Sequence, residues 1–287
     1  MNNKKIIRFM KTTFDTNRFM NLLKYEIGAE SRGYLRGVIG LTVAMAFYFM
    51  ANLYFHKEML MSNLDYFDVM YENFSGGAIC VGFALMMVAG CSIFKNMITK
   101  QQRINFLSLP ASNLEKYLAR FIWVNIGYLV IFIISLCLSD ILLAIFSAVL
   151  GLGVHGSVAA VFFEHFFDSA PLRINGSLLN PNYFYVMLFT VFLFMQSSWT
   201  FFGALFRKNA WLWTLCLQVL FGTSWAMIVS GDSCIAAAWL EFYKAVGKDP
   251  FFWIHIIFAI AVSVLMYWGS YKLFCRMQVV NNKWINI

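Results

Sequence analysis

Apolar residues are not scattered along this chain. They gather into six runs, each close to the roughly 20 residues that cross a bilayer core as a helix. The first is "GVIGLTVAMAFYFMANLYF" (37–55), and the second is "GGAICVGFALMMVAGCSIF" (76–94). The third starts near Phe121 and continues through "IWVNIGYLVIFIISLCLS". The others cover about 183–205, 211–230 and 251–271. Period-two alternation at ten-residue spacing is missing, which argues against an outer-membrane barrel. Lipid offers backbone groups no partners, so the runs are expected to be helices. The expectation is an all-α integral membrane protein with six transmembrane helices and a cytoplasmic N-terminal amphipathic helix.

The polar stretches complete the plan. Residues 1–36 form a basic head in which "NRFMNLLKYEIGAESRGYLRG" places Phe19, Met20, Leu22, Leu23 and Ile27 on one broad face. Such a segment is expected to lie along the cytoplasmic leaflet before the first span. The transmembrane domain is expected over 37–274, with an inner loop at 95–120 and a short tail at 275–287. Two outer excursions, 141–182 and 231–250, are too interrupted to cross and too apolar for free loops, so they are expected to lie in the interface or re-enter it.

Composition agrees. The chain is 61% hydrophobic and 13% charged, with a mean hydropathy of +0.67. A soluble domain carries about 25% charged residues. The net charge of +8 raises the question of nucleic acid, and its placement answers it. Eight Lys and Arg lie in the head (Lys4, Lys5, Arg8, Lys11, Arg18, Lys24, Arg32, Arg36) and five in the inner loop (Lys95, Lys100, Arg103, Lys116, Arg120). Arg207 and Lys208 follow the fourth span, and Lys272, Arg276 and Lys283 follow the sixth. The opposite side holds only Lys57, Arg173, Lys244 and Lys248. Eighteen against four sets both termini in the cytoplasm. Attraction to anionic headgroups is a secondary consequence, and no nucleic acid is expected.

Candidate chemistry is sparse. Asp140 closes the third apolar run. It stands 20 residues, about 30 Å of helix, from Arg120, so the two charges fit opposite interfaces and Asp140 reads first as a boundary residue. An outer gate is the sharper alternative. In "EHFFD", Glu164 and Asp168 share a helical face beside His165, with His155 nearby. A metal site usually needs three or four converging ligands, so a polar face on an interfacial helix is the better reading. Gln196, Ser197, Ser198 and Gln218 are candidates to line a path, against the simpler reading of hydrogen bonds between helices. The six cysteines form no CxxC pair and imply neither disulfides nor zinc. GxSxG, HExxH and GxxxxGK[ST] are all missing, so no catalysis, cofactor or ATP hydrolysis is expected in the chain itself.

The inner loop carries the clearest local signal. In "FLSLPASNLEKYLARF" (106–121), Ser112 and Glu115 form the S-x-x-E capping box of a helix starting at about Asn113. Pro110 biases Leu109 away from helix. Ahead of it, "TKQQRINFLSL" fits a short amphipathic helix or turn.

This "LPAS…EK" loop and the tail "YWGSYKLFCRMQVVNNKWINI" resemble ABC transporter permease subunits of the export type found in Bacteroidetes-like bacteria. The resemblance implies a coupling helix that rests on a separate ABC ATPase subunit. It places the docking contact on Gln101, Arg103, Phe106 and Leu109, with Ser112 and Glu115 in the lever to the third span. It further implies a second permease subunit, identical or different, and residence in a bacterial cytoplasmic membrane. The function expected is the permease subunit of an ATP-driven exporter. The alternatives are a membrane-embedded lipid-modifying enzyme and a non-transporting membrane assembly protein.

Overall fold

The structure is a computed structural model. It describes residues 14–62, 66–97, 99–153, 155–167, 173–174, 177–178, 181–206, 209–230 and 248–276. The elements, in order, are α1 (Thr16–Phe55), α2 (Lys57–Ser62), α3 (Tyr66–Ser92), a 3-10 turn (Lys95–Met97), α4 (Lys100–Leu107), α5 (Asn113–Val149) and α6 (Val158–Phe167). Then come the two-residue strands β1 (Arg173–Ile174) and β2 (Ser177–Leu178), α7 (Pro181–Leu205), α8 (Ala210–Ser230) and α9 (Lys248–Arg276). The strands pair antiparallel, and the other elements are helical. Among the described residues, five helices are long and apolar enough to cross a membrane: α1, α3, α5, α7 and α9. The helix α8 is 21 residues long, and its stretch Ala210–Ser224 counts among the shorter apolar helices. This is an all-α architecture of the multi-pass membrane type.

Two boundaries differ from expectation. The described part of the head, from Thr16 on, and the first apolar run form one unbroken helix of 40 residues, about 60 Å long. Residues 36 and 37 are mid-helix, so the expected border between head and span is not a break in the helix. No proline interrupts the segment, and the basic positions interrupt its hydropathy without interrupting its backbone. Likewise 141–149 is not a separate excursion. It continues α5, which runs 37 residues. That helix ends at Gly151, whose φ of +75° suits the left-handed position that glycine adopts without strain. The Leu152 amide donates to Ser147 O and the Gly151 amide to Ala148 O, the paired bonds of a Schellman ending.

The chain forms two compact units. One comprises Met20–Met86 and Ala119–Phe184. Its core is built from residues on helical spacing: Met45, Phe49 and Leu53 on α1; Phe67, Met70, Tyr71, Phe74 and Ala78 on α3; Phe132, Leu136 and Leu143 on α5. The Phe49 and Phe74 rings stand 4.9 Å apart. A β-carbon at Gly127 would fall 2.1 Å from the Tyr34 ring, so close approach of α1 and α5 depends on that glycine.

The other unit comprises Met1–Phe19, Met87–Leu118 and Tyr185–Ile287. Phe94, Phe106, Tyr117, Tyr271 and Phe274 form an aromatic cluster with centroid separations of 5.5–6.4 Å. The Tyr117 hydroxyl is 2.6 Å from Ser270 Oγ, which links α5 to α9. A β-carbon at Gly203 would lie 2.7 Å from the backbone of Cys91, so α3 and α7 cross at van der Waals distance.

Candidate functional site: the inner loop and its anchors

Thr99 is the N-cap of α4. Its hydroxyl accepts from the Gln102 amide, and the Gln102 side chain accepts from the Thr99 amide at 3.3 Å. This second capping box was legible as T-x-x-Q and was not anticipated. At the other end, Lys116 Nζ donates to Leu107 O at 2.8 Å, placing a cation on the last carbonyls of the helix. The short helix is therefore held at both ends.

Its two faces differ. Arg103 and Phe106 are 4% and 5% exposed, and Phe106 packs on the Phe274 ring. Lys100, Gln101, Ile104, Asn105 and Ser108 are exposed. Gln101 donates to Asn105 across one turn at 3.2 Å. Of the residues expected to touch a partner, Gln101 faces outward and Leu109 is half-buried, while Arg103 and Phe106 point into the fold. Helical phase explains this: Arg103 and Phe106 are three apart and share a face, and that face carries the aromatic contact.

Ser112 and Glu115 are buried and act from within. The Glu115 amide donates to Ser112 Oγ at 3.2 Å, and the Ser112 amide donates to Glu115 Oε2 at 2.7 Å, so the capping box forms as read. Glu115 Oε1 also accepts from the Asp15 amide at 2.7 Å and from Arg18 at 3.1 Å. The same carboxylate thus caps α5 and fastens the start of α1. Asp15 in turn caps α1, accepting from the Asn17 amide at 2.9 Å. Phe14 packs on Phe19 at 5.5 Å, a hydrophobic staple across that cap. Glu115 lies in the polar first turn of α5, ahead of the apolar run that begins at Phe121. Burial pushes its pKa up, but the Ser112 and Asp15 amides and the Arg18 guanidinium outweigh burial and hold it below the ordinary carboxylate range.

In the unit that contains Ala119–Phe184, Arg120 forms a second anchor. It donates to Glu26 and to Glu30 at 2.7 Å each, with Arg120 and Glu26 2% and 1% exposed. The pairing of Glu26 and Glu30, one turn apart within a basic head, was its only sequence trace.

Asp140 lies within α5. Its Oδ2 accepts from Ser157 Oγ at 2.6 Å and its Oδ1 from the Val158 amide at 2.8 Å, so it holds the N-terminus of α6. His155 stacks on Phe67 at 4.1 Å and its Nε2 is 2.6 Å from Leu152 O. Glu164 is exposed; the side chain of His165 and all of Asp168 lie outside the described residues, as do 231–247 and 277–287. Among the described residues no three His, Cys, Asp or Glu converge as a metal site.

Gln196, Ser197 and Ser198 are buried at 3%, 0% and 2% exposure. Ser198 Oγ donates to Met195 O and accepts from Gln218 Nε2 on α8. Ser197 Oγ donates to Phe194 O. Of these bonds, the one from Gln218 joins two helices, while Ser197 and Ser198 donate within α7. No family model matches the chain, and comparison with curated proteins and with solved structures yields no match either.

Proposed function

We propose that the chain is the permease subunit of an ATP-driven ABC exporter, embedded in a bacterial cytoplasmic membrane by six spans with both termini inside. A separate ABC ATPase subunit would hydrolyse ATP, and a second permease subunit would complete the transport path. The observation that carries this reading is α4: an eight-residue helix clamped at both ends, with one face buried and one presented outward. A force-bearing contact needs that rigidity, and Lys116 joins the helix to the foot of α5. The outward face, Lys100, Gln101, Ile104, Asn105 and Ser108, is the proposed docking surface. Arg103, Phe106, Ser112 and Glu115 shape it from behind. Coupling requires the ATPase to grip this face differently in its two nucleotide states.

The test is co-purification with an ABC ATPase subunit from the same cell. Lys100→Glu with Ile104→Glu should abolish capture and ATP-dependent coupling while leaving a monodisperse membrane protein. Full capture and full coupling by that double variant would overturn the reading. A non-transporting assembly protein is the second reading, favoured by the internal bonding of Ser197, Ser198 and Gln218. It predicts no nucleotide-dependent change in partner binding.

A further inference from the structure

The unbroken α1 sorts its charges by face. Successive helical residues turn by about 100°. Glu26 and Glu30 share one face, turned toward α5, where Arg120 engages both. Arg32 and Arg36 lie about 120° round the helix from them, one turn apart from each other. Both are exposed, and neither has an ion pair among the described residues. Residues 1–13 contain no Asp or Glu to neutralise them. Beside them, farther from the acidic face, stand Leu35 and Ile39, 62% and 57% exposed. So the inward face is charge-matched, and the outward face pairs two guanidinium groups with two bare aliphatic side chains.

The helix also fixes their depth. Packing against α5 sets Gly37 beside Ile131 and Tyr34 beside Gly127, so Arg32 and Arg36 stand level with the opening turns of the apolar run that begins at Phe121. The polar headgroup layer is about 5–7 Å thick on each side. Side chains tilt toward the helix N-terminus, so both guanidinium groups extend toward that layer, while Leu35 and Ile39 face acyl chains. Guanidinium binds phosphate through paired N–H donors. We propose that Arg32 and Arg36 form a binding site for the headgroup of an anionic phospholipid, with Leu35 and Ile39 holding its acyl chain. Lys24 lies about 18 Å along the axis from Arg36, outside the site. The inference needs only that α1 crosses a bilayer, so its failure and that of the transporter reading are separate outcomes.

Native mass spectrometry of the full chain, released from bilayer discs of phosphatidylcholine with a minor fraction of phosphatidylglycerol, tests it. Each basic residue at an anionic surface contributes about fivefold in affinity, so Arg32→Gln with Arg36→Gln should reduce phosphatidylglycerol retention roughly thirtyfold. Arg32→Lys with Arg36→Lys should keep most of it, and Lys24→Gln should leave it close to the wild type. Retention by the wild type should also weaken as salt rises. Equal retention by the glutamine double variant and the wild type would overturn the proposal. So would displacement by soluble glycerol phosphate at matched concentration, which would identify a free-anion site. Salt-independent retention by the wild type would overturn it without any variant.

Discussion

Glu115 has more partners than its place in a loop would require. It accepts from Ser112, from Asp15 and from Arg18. Replacing it with glutamine leaves a buried group that cannot accept all three, and should cost about 2–3 kcal/mol in unfolding free energy. The pH dependence follows from the lowered pKa. A carboxylate held lower in the folded than in the unfolded state stabilises the fold above the unfolded value. That stabilisation is lost as pH falls through the folded value, so acid should loosen the Asp15–Arg18 tether in the wild type and much less in Glu115→Gln. Arg120→Met strands Glu26 and Glu30 and should cost about 3–5 kcal/mol. Gly127→Ala drives a β-carbon into the Tyr34 ring and should cost about 1–3 kcal/mol. Tyr34→Ala beside it removes the obstruction, so the double variant should lose less than the sum of the single ones. Thermal unfolding in one detergent reads all four.

At the scale of elements, caps and breakers were legible and faces were not. Ser112 and Glu115 announce a helix start because a capping box is local chemistry. Thr99 and Gln102 carry the same signal, and Gly151 announces the helix end. The length of α1 was hidden because hydropathy falls at Arg32 and Arg36, while helix continuity depends on backbone hydrogen bonds that those side chains do not break. The inward turn of Arg103 was hidden too, since nothing local tells one face of an eight-residue helix from the other; Phe274 decides it from far along the chain. Asp140 is the clearest long-range case, a carboxylate that read as a span boundary and also holds the start of another helix. Asp140→Ala should weaken that cap by about 1 kcal/mol. Hydrogen exchange should speed up at Val158 to Val161 while amides of mid-α5 stay protected. Unchanged exchange at those positions would count against the capping role.

At the scale of the whole molecule, lipid is the solvent that explains the exposed surface. Phe258 on α9 and Phe221 on α8 are 69% and 65% exposed, and both sit on apolar helices. The positive-inside asymmetry predicts that reporters active only in the cytoplasm, fused to either terminus, will both score. A reporter inserted after Lys57 should not. A signal at that position, or opposite scores at the termini, would overturn the six-span topology.

The sequence by itself determined the apolar solvent, the helical class and the local caps. Run length, missing breakers and local caps are short-range properties, and lipid forces each run into a helix. It also holds the charge asymmetry from which the inside is inferred. Tertiary structure decided which side chains face each other. Arg120 meets Glu26 and Glu30, Asp140 meets Val158, and Glu115 meets Asp15 only once separate helices are brought together. Such pairings span up to 100 residues of chain. No periodicity encodes them, because each depends on the phase of two helices at once.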